Sequence, residues 1–302
     1  MRTGAALVDR PGRGVLRLTG KDPLGMLNAI LTNSVPGDAG QGAYALLLNP
    51  KGRVQSDLRV LRAVDDVLLD TEPEGADAAR EILGRYAPFS RVKLEDLSNE
   101  WSALGLYGPR AQGLLDGPEL SEHQTAEISV GRETLLAVGV ARPTAGYDLI
   151  GPADAVARAG EHLTARGAVT AGPDAHETLR IEAGVPRFGT DITSENFPGE
   201  AGILDRAVDF AKGCYPGQET VARMHYRGHP NRTLYRATAA PGNLAPVTPI
   251  LQDGKPAGKI TSVAPLTVNG ETPILCYLSR KTDLEAPLAA GDAALRVLGP
   301  AG

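Results

Sequence analysis

Helical periodicity stops at Arg227. From Thr233 onward the chain runs in short alternating segments parted by Pro241-Gly242, Asp253-Gly254 and Asn269-Gly270. Glycine turns of this kind reverse a chain between neighbouring antiparallel strands. No segment there keeps the spacing of a half-buried helix. Residues 229–302 are therefore predicted to form a small antiparallel β-barrel, and residues 1–228 a body of different construction.

Upstream, strand and helix patterns alternate. Val15-Leu16-Arg17-Leu18 reads as a strand, and Asp22-Pro23 then opens a helix carrying Leu24, Leu27, Ile30 and Leu31 on one face. Tyr44 to Leu48 and Val54 to Leu61 are two strands joined by Asn49-Pro50-Lys51-Gly52, a hairpin signal. Glu74 to Tyr86 has helical spacing. Val92 to Leu97 and Trp101 to Tyr107 return to strand, and a helix is expected from Pro109. Leu135 to Val140 and Tyr147 to Ile150 read as strands, Ala153 to Arg166 and Ala175 to Ala183 as helices. Helices folding back onto short, mostly antiparallel strands give an α+β class.

Several function classes drop out. A net charge of −5 over 302 residues argues against a general nucleic-acid binder. No apolar run approaches bilayer length, and the first residues lack a signal core, so no membrane contact is expected. Two cysteines suit a reducing cytoplasm, and a monomer is the working expectation, with the oligomeric state left open by the sequence. With only Cys214 and Cys276 a disulfide framework is implausible. Cys276 lies in the apolar run Ile274 to Leu278 and reads as barrel packing. Neither a phosphate-binding loop, a dinucleotide fingerprint nor a Gly-x-Ser-x-Gly elbow is present.

Cys214 is different. It sits in Lys212-Gly213-Cys214-Tyr215-Pro216-Gly217-Gln218-Glu219-Thr220-Val221-Ala222-Arg223, followed by Arg227-Gly228. Glycine beside a thiol leaves it reachable. Lys212 and a following helix N-terminus would favour the thiolate. His225 and His229 could be drawn with Cys214 as a metal site, but Gly228 and Pro230 break the helix that would align them, and no metal is expected. The local basic excess of Lys212, Arg223, Arg227 and Arg232 leaves open an RNA- or protein-binding module.

This segment closely resembles the signature of the YgfZ family, folate-binding proteins related to the glycine-cleavage aminomethyltransferase. Arg180 to Asp191, Asn196-Phe197-Pro198 through Gly202, and the hairpin Asn49 to Asp57 are similar to segments of the same family. The resemblance implies two interlocked, ferredoxin-like α+β units and a C-terminal barrel in a ring, with tetrahydrofolate or a one-carbon derivative in the central opening. It implies Asp57 as a catalytic and folate-binding carboxylate, Tyr147 and Asp148 at the pterin, and Arg180 near the glutamate tail. Cys214 would be a reactive thiol. Read as plain residues, Asp57 and Asp148 could be strand-end polar groups, and Arg180 could pair with Glu177 or Glu182 on its own helix.

By resemblance the activity is support of iron–sulfur cluster assembly or repair, with transient iron–sulfur client enzymes, tRNA-thiolating ones among them. The alternative is a folate-dependent one-carbon transferase. One departure bears on it: related aminomethyltransferases tend to carry paired carboxylates in the early hairpin, where this chain has Ser56-Asp57.

Overall fold

The computed structural model describes residues 1–64 and 66–302. Its first strand, β1 (Ala6–Asp9), does not pair with the second, β2 (Gly14–Gly20). Instead β2 joins β3 (Gly42–Leu48), β4 (Val54–Arg62), β5 (Val67–Thr71) and β6 (Val92–Asp96) in a five-stranded sheet of order β3-β4-β5-β2-β6. β1 waits for β7 (Trp101–Tyr107), β8 (Thr125–Val130), β9 (Glu133–Val140), β10 (Gly146–Pro152) and β11 (Val169–Thr170), which give a six-stranded sheet of order β11-β1-β7-β10-β9-β8. The two α+β units are thus interlocked: the chain begins in one, builds the other and returns.

Helices cover one face of each sheet. α1 (Pro23–Ile30) starts where Asp22 accepts a hydrogen bond from the Gly25 amide at 2.9 Å and Pro23 fixes the first φ. α2 (Pro73–Tyr86) lays Ala76, Ala79 and Leu83 on the five-stranded sheet. α3 (Ala153–Ala165) does the same on the other sheet with Val156, Ala159 and Leu163. Burial of each large aliphatic side chain contributes about 1.5–3 kcal/mol. The helix expected from Pro109 is only a single 3-10 turn, Gln112–Leu114, since Gly108, Gly113 and Gly117 surround it.

α4 (Pro173–Ala183), α5 (Leu204–Ala207) and α6 (Gln218–Arg227) lead to the barrel. Six strands close it: β12 (Arg232–Ala239), β13 (Pro249–Gln252), β14 (Lys255–Val263), β15 (Thr272–Ser279), β16 (Leu288–Ala290) and β17 (Ala293–Pro300). Cys276 is fully buried in its core among Ile250, Ile260 and Ile274.

The barrel is fastened to the body through a buried carboxylate. Asp191 accepts hydrogen bonds from Arg180 Nη1 (2.7 Å), Thr261 Oγ1 (2.6 Å) and Ser262 Oγ (2.7 Å), and its carbonyl accepts one from Tyr277 (3.0 Å). Arg180 also donates to both carboxylate oxygens of Glu177, at 2.9 and 2.7 Å, and to Ser262 at 2.8 Å. Its donors are therefore taken by the junction of body and barrel.

Candidate functional site

A cavity of ≈ 130 Å³ opens between the two sheets. β4 brings Asp57, Leu58 and Arg59 to it, β5 and the residue after it bring Asp70, Thr71 and Glu72, and β10 brings Asp148. Strand alternation decides which neighbours share the site. Tyr147 turns the other way, into the core of the six-stranded unit, where its hydroxyl donates to Gln112. It does not line the cavity, and neither does Arg180. Of the residues expected at a folate, Asp57 and Asp148 share this cavity, and Tyr147 and Arg180 lie outside it.

The same alternation removes the significance of Ser56. Its hydroxyl lies against Thr71 Oγ1 at 3.2 Å and donates to the Asp57 carbonyl at 3.1 Å, beneath the start of α2. A Cβ on Gly75 would approach Ser56 Oγ at 2.6 Å. Ser56 faces the helix layer, so its lack of a charge takes no acid from the cavity.

Asp57 is 7% exposed. Its Oδ2 accepts a hydrogen bond from Tyr44 at 2.8 Å, and its buried Oδ1 has no partner among the described residues. Burial and repulsion from Glu72 push the carboxyl up to about 6, against the Tyr44 hydrogen bond that favours the ionised form. Tyr44 is stacked near His123, ring centroids 6.3 Å apart, and the Arg206 guanidinium lies 5.7 Å over it. Burial, with Arg59 nearby, depresses His123 to about 4, so the imidazole is neutral at physiological pH.

The opposite side is an ion lattice. Arg13 grips Asp70 with two parallel hydrogen bonds, 2.5 and 2.7 Å, and donates a third to Glu72 at 2.6 Å. Arg59 donates through Nε to Asp70 at 2.6 Å and meets Asp148 Oδ2 through Nη2 at 2.7 Å, joining one sheet to the other. Tyr107 donates to Asp148 Oδ1, and Arg10 lies 3.7 Å from that oxygen. Burial alone would raise Asp148, but Arg59, Arg10 and Arg13 outweigh it and hold the carboxylate far below its ordinary range. Glu72 is held at about 2, with Arg13 and Arg10 again overcoming burial.

The cysteine segment lies elsewhere. Cys214 is exposed and is not part of the cavity lining. Lys212 does not serve the thiol: its Nζ donates to the carbonyls of Asn28 (2.9 Å), Leu31 (2.6 Å) and Asn33 (3.0 Å), closing the end of α1. Burial lowers this ammonium to about 8. Gly213 is exposed beside the thiol. Tyr215 is buried among Leu46, Leu48 and Val221. Gly217 has φ +83, and a Cβ there would sit 2.7 Å from the Asn49 carbonyl and 2.8 Å from Gly52, so the segment docks on the β3–β4 hairpin only with glycine. Gln218 and Glu219 begin α6, Gly228 follows its last turn, and Arg223 and Arg227 are exposed on it. His225 stacks on Phe210, ring centroids 4.3 Å apart.

The pattern of the GCVT N-terminal domain family matches residues 1–212, more than two-thirds of the chain. This chain belongs to that family. A chloroplastic protein of Arabidopsis thaliana, provisionally named a transferase, is 28% identical over 270 residues, covering 86% of this chain and 62% of its own length. The chain thus spans under two-thirds of that relative. A protein of Moorella thermoacetica named aminomethyltransferase is 29% identical, covering 87% of this chain and 75% of its own. A protein of Rubrobacter xylanophilus with the same name is 27% identical over 94% of this chain and 78% of its own. The crystal structure of the glycine cleavage system aminomethyltransferase T of Bartonella henselae superposes with a TM-score of 0.82 over 98% of this chain and 85% of its own, at 21% identity. The GCVT-domain chain therefore has the aminomethyltransferase-like fold.

The charged lining other than Asp57 and Asp148 escaped the sequence. Arg10, Arg13, Arg59, Asp70 and Glu72 carry no motif. A signal for one of them did exist: Arg59 stands two residues after Asp57 on a strand, and so on the same face.

Proposed function

We propose that this chain binds a reduced folate, tetrahydrofolate or a one-carbon derivative, in the cavity between its sheets and performs a one-carbon transfer of the aminomethyl type with Asp57 as acid and base. The observation that carries this reading is the unpartnered Oδ1 of Asp57, a buried acceptor on a carboxyl poised at about 6. A group so tuned exchanges a proton near neutral pH, as general acid–base catalysis requires. Tyr44 fixes the carboxyl plane through Oδ2, leaving Oδ1 for a ligand N–H. Family membership and relatives named aminomethyltransferases support the reaction class.

A bound tetrahydrofolate would supply nitrogen atoms able to accept a one-carbon unit. The chain's own residues hold and orient it: Asp57 and the Asp148–Arg59 pair form two walls, and Arg142 and Arg206 in the lining add positive charge suited to a glutamate tail. Titration with tetrahydrofolate under reducing conditions tests the binding half. Saturable binding, followed by formation of methylenetetrahydrofolate from an aminomethyl donor, is the expected result. Folded protein that shows no binding would sink it.

A second reading rests on Cys214, an exposed thiol on a firmly anchored loop apart from the cavity. In it the folate-loaded protein supports assembly or repair of iron–sulfur clusters in client enzymes of the cytoplasm, with the thiol meeting the client. Loss of cluster-enzyme rescue by Cys214→Ser, with folate affinity intact, supports this reading. Full rescue rejects it.

A further inference from the structure

Asp148 stands where the family resemblance implies a carboxylate that reads the ligand's N–H edge, yet each of its oxygens already meets a partner. Oδ2 is held by Arg59 Nη2 at 2.7 Å, and Oδ1 receives the Tyr107 hydroxyl with Arg10 at 3.7 Å. A ligand N–H reaching Asp148 would have to displace a guanidinium from a carboxylate only 1% exposed. Such a pair in low dielectric is costly to break, because each partner is left buried and uncompensated. Arg59 is itself tied to Asp70 through Nε, so it cannot swing aside without breaking a second buried pair. Among the described residues, the buried carboxylate oxygen without a partner is Oδ1 of Asp57.

Asp57 and Arg59 are two residues apart on β4, hence on one face, and both line the cavity. Among the described residues Arg59 Nη1 takes no hydrogen-bond partner, and Nη2 meets Asp70 and Asp148 as ion contacts without a hydrogen bond. One strand therefore presents an open acceptor and an open donor side by side.

We propose that Arg59 is the specificity-determining residue of the cavity: it closes Asp148 to the ligand and offers its own Nη1 to a ring carbonyl, while Asp57 Oδ1 accepts the ligand's N–H. Asp148 is then a positioning residue acting through Arg59. The ligand class selected is a planar heterocycle with a lactam-type edge, donor and acceptor together. A ring offering donors alone would leave the guanidinium without a partner, which is unfavourable in a buried site. This inference rests on the reading that tetrahydrofolate occupies the cavity.

The test is a double-mutant cycle on the full chain, with tetrahydrofolate affinity measured by calorimetry for wild type, Arg59→Met, Asp148→Asn and the double variant. Each single change is expected to weaken binding about tenfold, the scale of a lost charge-assisted hydrogen bond. The double variant should bind no more weakly than Arg59→Met alone. If Arg59→Met binds as tightly as wild type or tighter, and Asp148→Asn then weakens it about tenfold, Asp148 meets the ligand directly and the proposal is overturned. Because Met removes a cation from the lattice, Arg59→Lys is measured in parallel with melting curves. It retains a cation for Asp70 and Asp148 but loses the fork, and affinity equal to wild type would also overturn the assignment. Absence of binding by folded wild type is a separate result: it removes the folate reading itself, and this inference with it.

Discussion

Asp57 and Asp148 face one cavity from opposite sheets, both more than nine-tenths buried, yet their carboxyls are driven in opposite directions. Around Asp148 stand Arg59, Arg10 and Arg13, and the Tyr107 hydroxyl donates to it. Around Asp57 the main charged influence is another carboxylate, Glu72, with one tyrosine hydroxyl in support. Burial is common to the two and so explains neither difference. The count of guanidinium groups within reach does. One wall is permanently charged and rigid, and the other can change protonation near neutral pH.

That contrast can be broken most directly at Asp57. Asp57→Asn should lower the rate of one-carbon transfer about a thousandfold, within the range of a lost general acid–base, while folate affinity changes by less than about tenfold. In the wild type the rate should rise with pH through about 6, as Asp57 gives up its proton to become a base. A pH–rate profile flat between 5 and 7 would place the proton transfer elsewhere.

On the other wall the expected effect is structural. Asp70 neutralises Arg13 and Arg59 together. Asp70→Ala should destabilise the fold by about 3–5 kcal/mol in urea unfolding, because two guanidinium groups lose their shared partner in a dry site. A loss under about 1 kcal/mol would mean that water readily replaces the carboxylate.

The third prediction sharpens the comparison through its sign. A carboxyl raised to about 6 in the folded chain binds its proton more tightly there than in the unfolded chain, whose value is about 3.9. Stability attributable to Asp57 is therefore present at low pH and lost as pH rises from about 4 through 6. Asp57→Asn should stabilise the protein by about 1–3 kcal/mol at pH 7–8, a gain that fades below pH 4. Thermal unfolding across that pH range measures it. At Asp148, held ionised, Asn substitution should destabilise at neutral pH.

The smallest effect belongs outside both walls. Cys214→Ser, at an exposed loop position, should alter stability by less than about 0.5 kcal/mol and leave folate affinity unchanged. A large loss in either would tie the thiol to the cavity.

Much of the architecture was legible because it is written in local patterns. The hairpin at Asn49–Gly52, the amphipathic helices and the glycine-punctuated barrel each carry a periodicity of their own. Asp57 and Asp148 were visible as positions in strands. Their surroundings were not, because Arg10, Arg13, Asp70 and Glu72 come from chain segments that meet only when the sheets assemble. Val67–Thr71 was not read as a strand, so Asp70 had no place in the reading. Strand alternation turns Tyr147 away from the cavity, and Glu177 and Asp191, charges no farther than a turn or a loop away, draw Arg180 to the junction with the barrel. Lys212 illustrates the same limit: closeness in sequence to Cys214 predicted a partner, and the carbonyls closing α1 took it instead.

The interlocking of the units has a consequence for how the chain is made. β1 leaves the ribosome before β7, and Ala6 pairs with Tyr107, emerging about a hundred residues later. At typical rates of synthesis that is a wait on the order of 5–20 s, with an apolar strand edge lacking its neighbours. During that interval the five-stranded unit can condense around β2 to β6 while Ala6–Val8 remain a free tether. The cavity, whose walls come from both sheets, cannot exist until the tether is captured. A ligand that binds there would report on the last step of maturation, and would draw nascent chains forward through it by mass action.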